Sequence, residues 1–227
     1  MARLARIVIP HIPHHVTQRG NRRQDVFFGD DDYRAYLALL AEHTRRAGVA
    51  VWAWCLMPNH VHLLLVPSSE DGLRDALAEA HRRYSRGVNF RKDWRGYLWQ
   101  GRFASCPTDA AHAVAATRYI ELNPVRAKLA ATPQDWPWSS ARAHLTGISD
   151  GITAIDALGI APSDWPAFLG VGLDDETHEL IRRGERTGRP LGDDRFVAGL
   201  EQETGRTLAR QKPGPKPREE GVRAGER

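Results

Sequence analysis

The sequence predicts an α+β fold in which helices pack against an antiparallel sheet. Three observations lead to this prediction. Short β-branched and aromatic runs alternate with segments whose apolar residues recur at helical spacing. Two of the runs, 49–56 and 60–66, are separated by a break at Pro58 and Asn59, which indicates an antiparallel hairpin. The order strand, helix, strand pair, helix, strand, helix is mixed, as in α+β proteins.

The first part of the chain predicts a strand at 15–18 and, after a Gly-Asn turn, a second short strand at 26–28. Three aspartates at 30–32 then cap a helix over 31–47, which Gly48 ends. After the hairpin, a helix is predicted over 71–87.

The next segment, 90–101, is rich in Arg, Trp and Gly and is predicted to be a loop. An edge strand at 103–106 follows it. Thr108 is the predicted N-cap of a helix over 109–122, and Pro124 ends that helix because the residue before a proline avoids helical geometry.

Beyond Trp138 the pattern changes, and two further helices are predicted at 174–184 and 193–204. The chain therefore divides into a first domain (1–147), a helical C-terminal region (148–210) and a basic tail (211–227) whose Pro, Gly and charge content predicts disorder.

Charge is unevenly distributed along the chain. The net charge is +4, with 20 Lys+Arg against 14 Asp+Glu in residues 1–150 (+6) and 12 against 14 in residues 151–227 (−2). A basic first domain favours a polyanionic partner. Of the 32 basic residues 28 are Arg, which suits phosphate contacts, although genomic codon bias explains such a preference equally well.

Other features exclude several classes of protein. No apolar run reaches the roughly 18 residues of a membrane span, and the start lacks the apolar stretch of a signal peptide, so no membrane partner and a cytoplasmic location are expected. Cys55 and Cys106 lack zinc-site spacing and are expected to be buried thiols.

His60 and His62 are candidate metal ligands. Residues i and i+2 of a strand point to the same face, so both imidazoles can bind one divalent ion. The alternative is a pair of ordinary polar-face residues. Two ligands do not complete a site, so a third must come from elsewhere in the chain.

Tyr119 and Asn123 are spaced four apart at the end of the helix predicted from 109 to about 122, so helical spacing puts them on one face. A phenol is a competent nucleophile toward phosphorus once its effective pKa is lowered, and an amide oxygen is a hard metal ligand. The alternatives are a half-buried core tyrosine and a helix-stop asparagine before proline.

A basic and aromatic segment lies between His81 and Arg102. Interleaved cations and rings suit single-stranded nucleic acid, because rings stack on bases and cations follow the backbone. The alternative is a solvated helix face beside a loop whose aromatics, Trp99 above all, fill the core. The candidate DNA-binding residues are Arg82, Arg83, Arg86, Arg91, Trp94, Arg95 and Arg102, with Arg19, Arg22 and Arg23 after the first strand.

Four motifs together resemble the REP-associated tyrosine transposases, which are relatives of the single-tyrosine HUH transposases. They occur in family order over about residues 15–145: WCLMPNHVHLLL from Trp54, LWQGRF from Leu98, YIELNPVRA from Tyr119 and WPWSS from Trp136. The opening His-Val-Thr-Gln-Arg-Gly-Asn and the later Thr-Gly-Arg-Pro-Leu-Gly are also similar to family segments.

The resemblance implies a ferredoxin-like fold and a divalent ion, Mg²⁺ or Mn²⁺. It places His60 and His62 at the HUH pair and Tyr119 at the catalytic tyrosine. Asn123 stands where relatives have a polar third ligand, often Gln; Glu121 is an alternative ligand, but its helical spacing turns it away from Tyr119.

The implied activity is cleavage and rejoining of single-stranded DNA beside a palindromic hairpin, through a 5′-phosphotyrosine intermediate. Two other functions stay open: a non-catalytic DNA-hairpin-binding protein on the same fold, and a metal-dependent phosphodiesterase that uses water. The sequence is compatible with a monomer or a homodimer, and does not say in which subunit Tyr119 would act.

Overall fold

Four strands form one sheet in which every neighbouring pair is antiparallel and the spatial order is β2-β3-β1-β4. Helix α1 connects β1 to β2, and α2 connects β3 to β4. This βαββαβ order is the ferredoxin-like fold, so the predicted fold class is confirmed. The elements are β1 (His14–Arg19), α1 (Asp30–Arg46), β2 (Val49–Met57), β3 (His60–Pro67), α2 (Gly72–Lys92) and β4 (Ala104–Pro107).

The structure is a computed structural model that describes residues 5–209. The predicted disordered tail, 211–227, lies outside the described residues. Within 5–209, no helix has the length and apolar character needed to cross a membrane. Cys55 and Cys106 are both free and buried, as expected.

Helices α1 and α2 pack side by side on one face of the sheet. Alternate strand residues point toward them, and their helical spacing presents a matching apolar stripe. Leu40 of α1 and Leu77 of α2 are fully buried in this core together with Val16, Leu63 and Leu65 of the strands.

The opposite face of the sheet is covered by α3 (Ala110–Glu121), which is followed by the short helix α4 (Asn123–Arg126). Ala113 and Ala116 are fully buried against the sheet in the cluster that contains Leu64. Their small side chains allow α3 to approach the strands closely. Asp109 caps the helix, accepting a 2.8 Å bond from the backbone N–H of His112.

In the described part of the chain, four more α-helices follow α4; two of them were predicted from the sequence, and the first lies within residues 1–147. Helix α7 lies on the α3 side, where Ile181 and the following Leu191 join the α3 core. Helix α8 packs against the N-terminal segment, since Leu200 clusters with Ile7 and Ile9. The helices are α5 (Ala141–Thr146), α6 (Trp165–Gly170), α7 (Asp175–Thr187) and α8 (Asp194–Thr204).

Three local predictions were wrong. Residues 26–28 form no strand; the backbone N–H groups of Val26 and Phe27 both donate to the Pro58 carbonyl, at 2.8 and 3.2 Å. Helix α2 continues past Gly87 to Lys92, because Val88 extends its buried face. Thr108 is not the N-cap of α3; its hydroxyl donates to the Pro13 carbonyl instead.

Candidate active site

The two strand histidines point to the α3 face of the sheet. Their ring centroids lie 4.9 Å apart, and the Nδ1 atom of His60 is 2.5 Å from the Asn59 Oδ1. An amide oxygen accepts only, so His60 carries its proton on Nδ1 and leaves Nε2 free as a ligand atom. The two side chains of the i, i+2 pair therefore lie next to each other on one face of the sheet.

Helix α3 brings Tyr119 over this pair. Its ring centroid lies 5.5 Å from that of His62, and the side chain is 5% exposed. Asn123 lies at the start of α4 rather than in the last turn of α3, yet it lines the same cavity because Leu122 between them keeps helical angles. The predicted constellation of His60, His62, Tyr119 and Asn123 is thus assembled in one place.

The four side chains line an open cavity of about 770 Å³. Its rim is strongly basic. Six arginines surround the cavity: Arg19 at the end of β1, Arg23 in the turn after it, Arg102 just before β4, Arg126 in α4, and Arg182 and Arg186 in α7. Phosphate groups therefore have cationic partners on several sides of the tyrosine and the histidines.

Two further residues of the site carried no functional assignment in the sequence interpretation. His15 of β1 stacks on His62 with ring centroids 5.4 Å apart, and Glu185 of α7 approaches the Nδ1 atom of His62 to 3.3 Å. A local sequence pattern could have pointed to Glu185. It follows the buried Gly184 and comes four residues after the buried Ile181, so its carboxylate lies on the apolar face of an amphipathic helix.

Burial sets the protonation of the site. It lowers the pKa of His60 to about 2, with help from the neighbouring His62 and Arg19, and that of His15 to about 4. Burial opposes ionisation of Glu185, but the close approach of the His62 imidazole, with His15 and His60 nearby, lowers its pKa to about 2. His60 and His15 are therefore neutral at pH 7 and Glu185 is ionised, the states that metal ligation requires.

Tyr119 is held in its protonated form at neutral pH. Burial raises the pKa of its phenol to about 12, as does the charge of Glu185, while Arg126 and Arg182 act in the opposite direction. The Arg126 guanidinium carbon lies 4.8 Å from the centre of the tyrosine ring. A phenolate formed here has cations next to it.

The site has the donor set of a divalent-ion centre. Among the described residues, five buried side-chain polar atoms have no hydrogen-bond partner, and three of them belong here: His15 Nδ1, Glu185 Oε1 and Asn123 Nδ2. Buried polar atoms are normally satisfied, so the unpaired Glu185 oxygen is suited to a cation, whereas the Asn123 NH₂ group is suited to an acceptor such as a phosphate oxygen. Nitrogen and oxygen donors of this kind bind divalent first-row metals.

The predicted DNA-binding residues fall into two groups. Arg19, Arg23 and Arg102 line the cavity. Arg82 and Arg83 lie on the exposed side of α2, which covers the other face of the sheet, and are paired with Glu79 and Glu42. The second group also contains Arg86, Arg91 and Arg95, all exposed, and Arg91 is paired with Asp32; Arg22 is exposed in the turn after β1.

The rings of the same segment are likewise divided. Trp99 is core, 6% exposed, as the alternative interpretation held. Trp94 is 41% exposed and contacts Phe28 edge to face, whereas Phe90 and Tyr97 are 90% and 86% exposed. Single exposed rings of this size beside arginines suit base stacking.

Glu121 is not a metal ligand in this structure. Its carboxylate is fully buried on the far side of α3, where it accepts bonds from Ser140 Oγ (2.6 Å), His144 Nδ1 (2.6 Å) and Trp165 Nε1 (2.8 Å). The helical-spacing argument that turned it away from Tyr119 is confirmed.

Comparison with known proteins assigns the family. Residues 9–123, just over half of the 227-residue chain, match the family model described as "Transposase IS200 like". The chain belongs to the IS200-like transposase family. The matched region begins before β1 and ends at Asn123, so it contains both histidines and Tyr119.

One solved structure supports the fold of this IS200-like transposase. A REP-associated tyrosine transposase bound to a REP hairpin matches with a TM-score of 0.52 and 21% identity, over 69% of this chain and 90% of that one. A Deinococcus radiodurans R1 protein described as a transposase has 21% identity and a TM-score of 0.38 over 53% of this chain and 96% of that one. No curated protein matches the chain.

Membership of the family establishes the general character of this transposase. Its partner is DNA, and its general activity is DNA transposition with cleavage of DNA strands. The resemblance found in the sequence motifs is confirmed at the level of family and fold.

Proposed function

We propose that this transposase is a metal-dependent single-stranded DNA endonuclease and strand transferase that cuts beside palindromic hairpins through a 5′-phosphotyrosine on Tyr119. The observation that carries the proposal is the cavity itself, where the tyrosine, two imidazoles and an asparagine whose Nδ2 has no hydrogen-bond partner meet under a rim of arginines. The REP hairpin bound to the structural neighbour is consistent with a hairpin substrate.

A divalent ion, Mg²⁺ or Mn²⁺, held by His60, His62 and Asn123 would polarise the scissile phosphate as a Lewis acid. The rim arginines Arg19 and Arg102 bind and orient the flanking phosphates. Because the Asn59 amide fixes the Nδ1 proton of His60, that ring presents only Nε2 to the cavity.

The covalent step conserves the energy of the phosphodiester. The Tyr119 hydroxyl gives its proton to solvent in the open cavity, the adjacent Arg126 cation stabilises the resulting phenolate, and the phenolate oxygen attacks phosphorus. The bond from phosphorus to the 3′ oxygen breaks, and that oxygen takes up a proton as a free 3′-hydroxyl. Attack of another 3′-hydroxyl on the phosphotyrosine reverses these bond changes and joins two strands without external energy.

The geometry favours Tyr119 acting in its own subunit, since it lies against His62 of the same chain. Mixing the variants His62→Ala and Tyr119→Phe tests this. Each alone is expected to be inactive, and the mixture should stay inactive whether the protein is a monomer or a homodimer. Restored cleavage in the mixture would show catalysis between subunits.

The nucleophile is tested with a labelled hairpin that carries a single-stranded flank. Wild type should form a covalent protein–DNA adduct on a denaturing gel, and Tyr119→Phe should bind the hairpin and form none. Tyr97→Phe is the matched control, because that tyrosine is 86% exposed and away from the cavity. An adduct that persists in Tyr119→Phe would refute the assignment; cleavage without any adduct would favour the water-using phosphodiesterase.

We propose a second DNA contact on the α2 side, where Arg82, Arg83 and Arg86 line an open groove of about 960 Å³ with Phe90. Replacing the three arginines together by Ala should flatten the salt dependence of hairpin binding, because fewer counterions are released. An unchanged slope would confine DNA to the α3 side of the sheet and to the cavity rim.

A further inference from the structure

His178 of α7 lies against the proposed nucleophile, Tyr119, although it comes 59 residues later in the chain (178 − 119). The two ring centroids are 5.4 Å apart and the ring planes are inclined by 46°. His178 stands three residues before the buried Ile181 and four before Arg182, so helical spacing puts it on the face of α7 that packs on the α3 core. The C-terminal helix therefore reaches the tyrosine itself.

Arg126 of α4 stands next to both rings. It comes seven residues, or two helical turns, after Tyr119, and its backbone N–H donates to the Leu122 carbonyl at 3.0 Å, so helical geometry places the two side chains on one face. The guanidinium carbon of Arg126 lies 4.8 Å from the centre of the tyrosine ring, and its Nη2 atom contacts the Nε2 atom of His178. The cation is thus in contact with the tyrosine and with the histidine.

The chemistry of this contact assigns the histidine tautomer. A guanidinium group donates hydrogen bonds and never accepts them, so the Nε2 atom of His178 is the acceptor and the ring proton is on Nδ1. Burial and the charges of Arg126 and Arg182 lower the pKa of His178, against the effect of two nearby glutamates, which favours the neutral ring that such an acceptor requires. With Nε2 bound to the arginine, the ring has no lone pair left to accept the Tyr119 proton.

His178 lies behind Arg126 as seen from the site. Among the described residues, those that line the cavity include Arg126 but not His178. The two side chains line a separate groove of about 440 Å³, together with Leu122 and Val125. Arg126 is exposed and ends a four-residue helix, so its long side chain has many rotamers unless a second contact restricts them. His178 supplies that contact from the side opposite the DNA.

We propose that His178 is a positioning residue for the phosphotyrosine reaction, whose Nε2 atom holds the Arg126 guanidinium against the ring of Tyr119. A cation that is already fixed where negative charge develops stabilises the phenolate without reorganisation, and a mobile one does not. The inference rests on the proposed function and deepens it, because it adds a residue from outside the family-matched region 9–123.

The test measures two quantities on the full-length protein: the single-turnover rate constant of adduct formation at saturating hairpin, and the hairpin Kd in chelator. Arg126→Ala should lower the rate constant on the order of 100-fold and His178→Ala about tenfold, since the latter leaves the cation present but mobile. The Kd of His178→Ala should change less than about twofold, because the imidazole does not line the cavity. Glu176→Ala, an exposed carboxylate on the same helix, is the matched control and should keep the wild-type rate.

Two further variants separate positioning from other roles. In His178→Gln the amide oxygen can still accept from Arg126 but cannot take up a phenol proton, so the rate constant should return to within about threefold of wild type. The double variant His178→Ala, Arg126→Ala should be no slower than Arg126→Ala alone, because the histidine acts only through the arginine. Circular dichroism of each variant verifies folding.

Three results would overturn the inference. His178→Ala at the wild-type rate would show that the contact is not used. His178→Gln as slow as His178→Ala would make the imidazole a proton acceptor instead. A double variant slowed by the full product of the single effects would show that the two residues act independently.

A readout without DNA separates the inference from the proposed function. In ¹⁵N NMR spectra of histidine-labelled protein, the His178 signals, identified by their loss in His178→Gln, should show an Nδ1-protonated ring that reverts toward a tautomer mixture in Arg126→Ala. This pairing together with a wild type that forms no adduct would refute the phosphotyrosine mechanism. Adduct formation in the wild type without the pairing would overturn the inference alone.

Discussion

Replacing Glu121 by Ala tests how the C-terminal region is joined to the helix that carries Tyr119. The Glu121 carboxylate is fully buried and is the common acceptor for Ser140, His144 and Trp165, at 2.6 to 2.8 Å. The variant leaves His144 Nδ1 and Trp165 Nε1 without an acceptor, and leaves Ser140 Oγ only the longer bond to the Trp54 carbonyl, at 3.3 Å. Since α3, α5 and α6 meet at this point, the change acts on the packing of all three helices.

The magnitude follows from the cost of orphaned buried groups. One unsatisfied buried donor costs about 1–3 kcal/mol, and removing one side of a buried charged interaction costs about 3–5 kcal/mol. The three donors share one acceptor, so their costs do not add. We expect the free energy of unfolding of Glu121→Ala to fall by about 3–5 kcal/mol, which at 2–4 °C per kcal/mol lowers Tm by roughly 6–20 °C.

Urea unfolding followed by circular dichroism, together with a thermal scan, measures the effect. Glu121→Gln retains an acceptor but turns an NH₂ group toward one of the donors, so a smaller loss is expected. Glu179→Ala, which removes a carboxylate from the exposed surface of α7, should stay within about 0.5 kcal/mol of wild type. A loss below about 1 kcal/mol in Glu121→Ala would refute the reasoning.

Three further predictions concern pH and DNA. Burial lowers the pKa of His14 to about 4 and that of His81 to about 3. The unfolded chain therefore takes up protons first, and stability falls steadily as pH drops from 6.5 toward those values. Urea unfolding in chelator at pH 7.5, 5.5 and 4.5 should show a falling free energy of unfolding, and a constant value would contradict this prediction. The double variant Arg19→Ala, Arg102→Ala should reduce the slope of log affinity against log salt by about 2 in a hairpin titration, because two phosphate contacts are lost. An unchanged slope would show that the cavity rim does not contact phosphate. Trp94→Ala should weaken hairpin binding with little change in that slope, because stacking releases no counterions; wild-type affinity would place the ring in a packing role only.

Local periodicity was enough to predict that the four candidate side chains lie close together, as they do around the cavity. His60 and His62 follow the alternation of a strand, and Tyr119 and Asn123 follow the spacing of a helix turn, so their relative directions are fixed by neighbours within a few residues. The break in the helix at Leu122 did not matter, because its backbone angles remain helical.

Long-range packing decided what the sequence could not predict. Glu185 reaches His62 across 123 residues of chain (185 − 62), and only the close approach of α7 to the sheet brings them together. The 26–28 segment had the composition of a strand, but its N–H groups found the Pro58 carbonyl rather than a neighbouring strand. The structure at such positions is set by long-range contacts, which a local sequence pattern does not encode.

Contacts cross the domain boundary that the sequence predicts at residue 147, and they affect what a fragment cut there can do. On the C-terminal side of that boundary, Trp165 donates to Glu121 and Glu185 approaches His62, while Ile181 and Leu191 bury part of the α3 face. A fragment 1–147 would expose that apolar surface and leave the Glu121 carboxylate with one donor fewer, so each change weakens the packing of α3 on the sheet. The ferredoxin-like sheet orients His60 and His62, but the position of Tyr119 above them depends on α6 and α7, which hold α3 on the sheet.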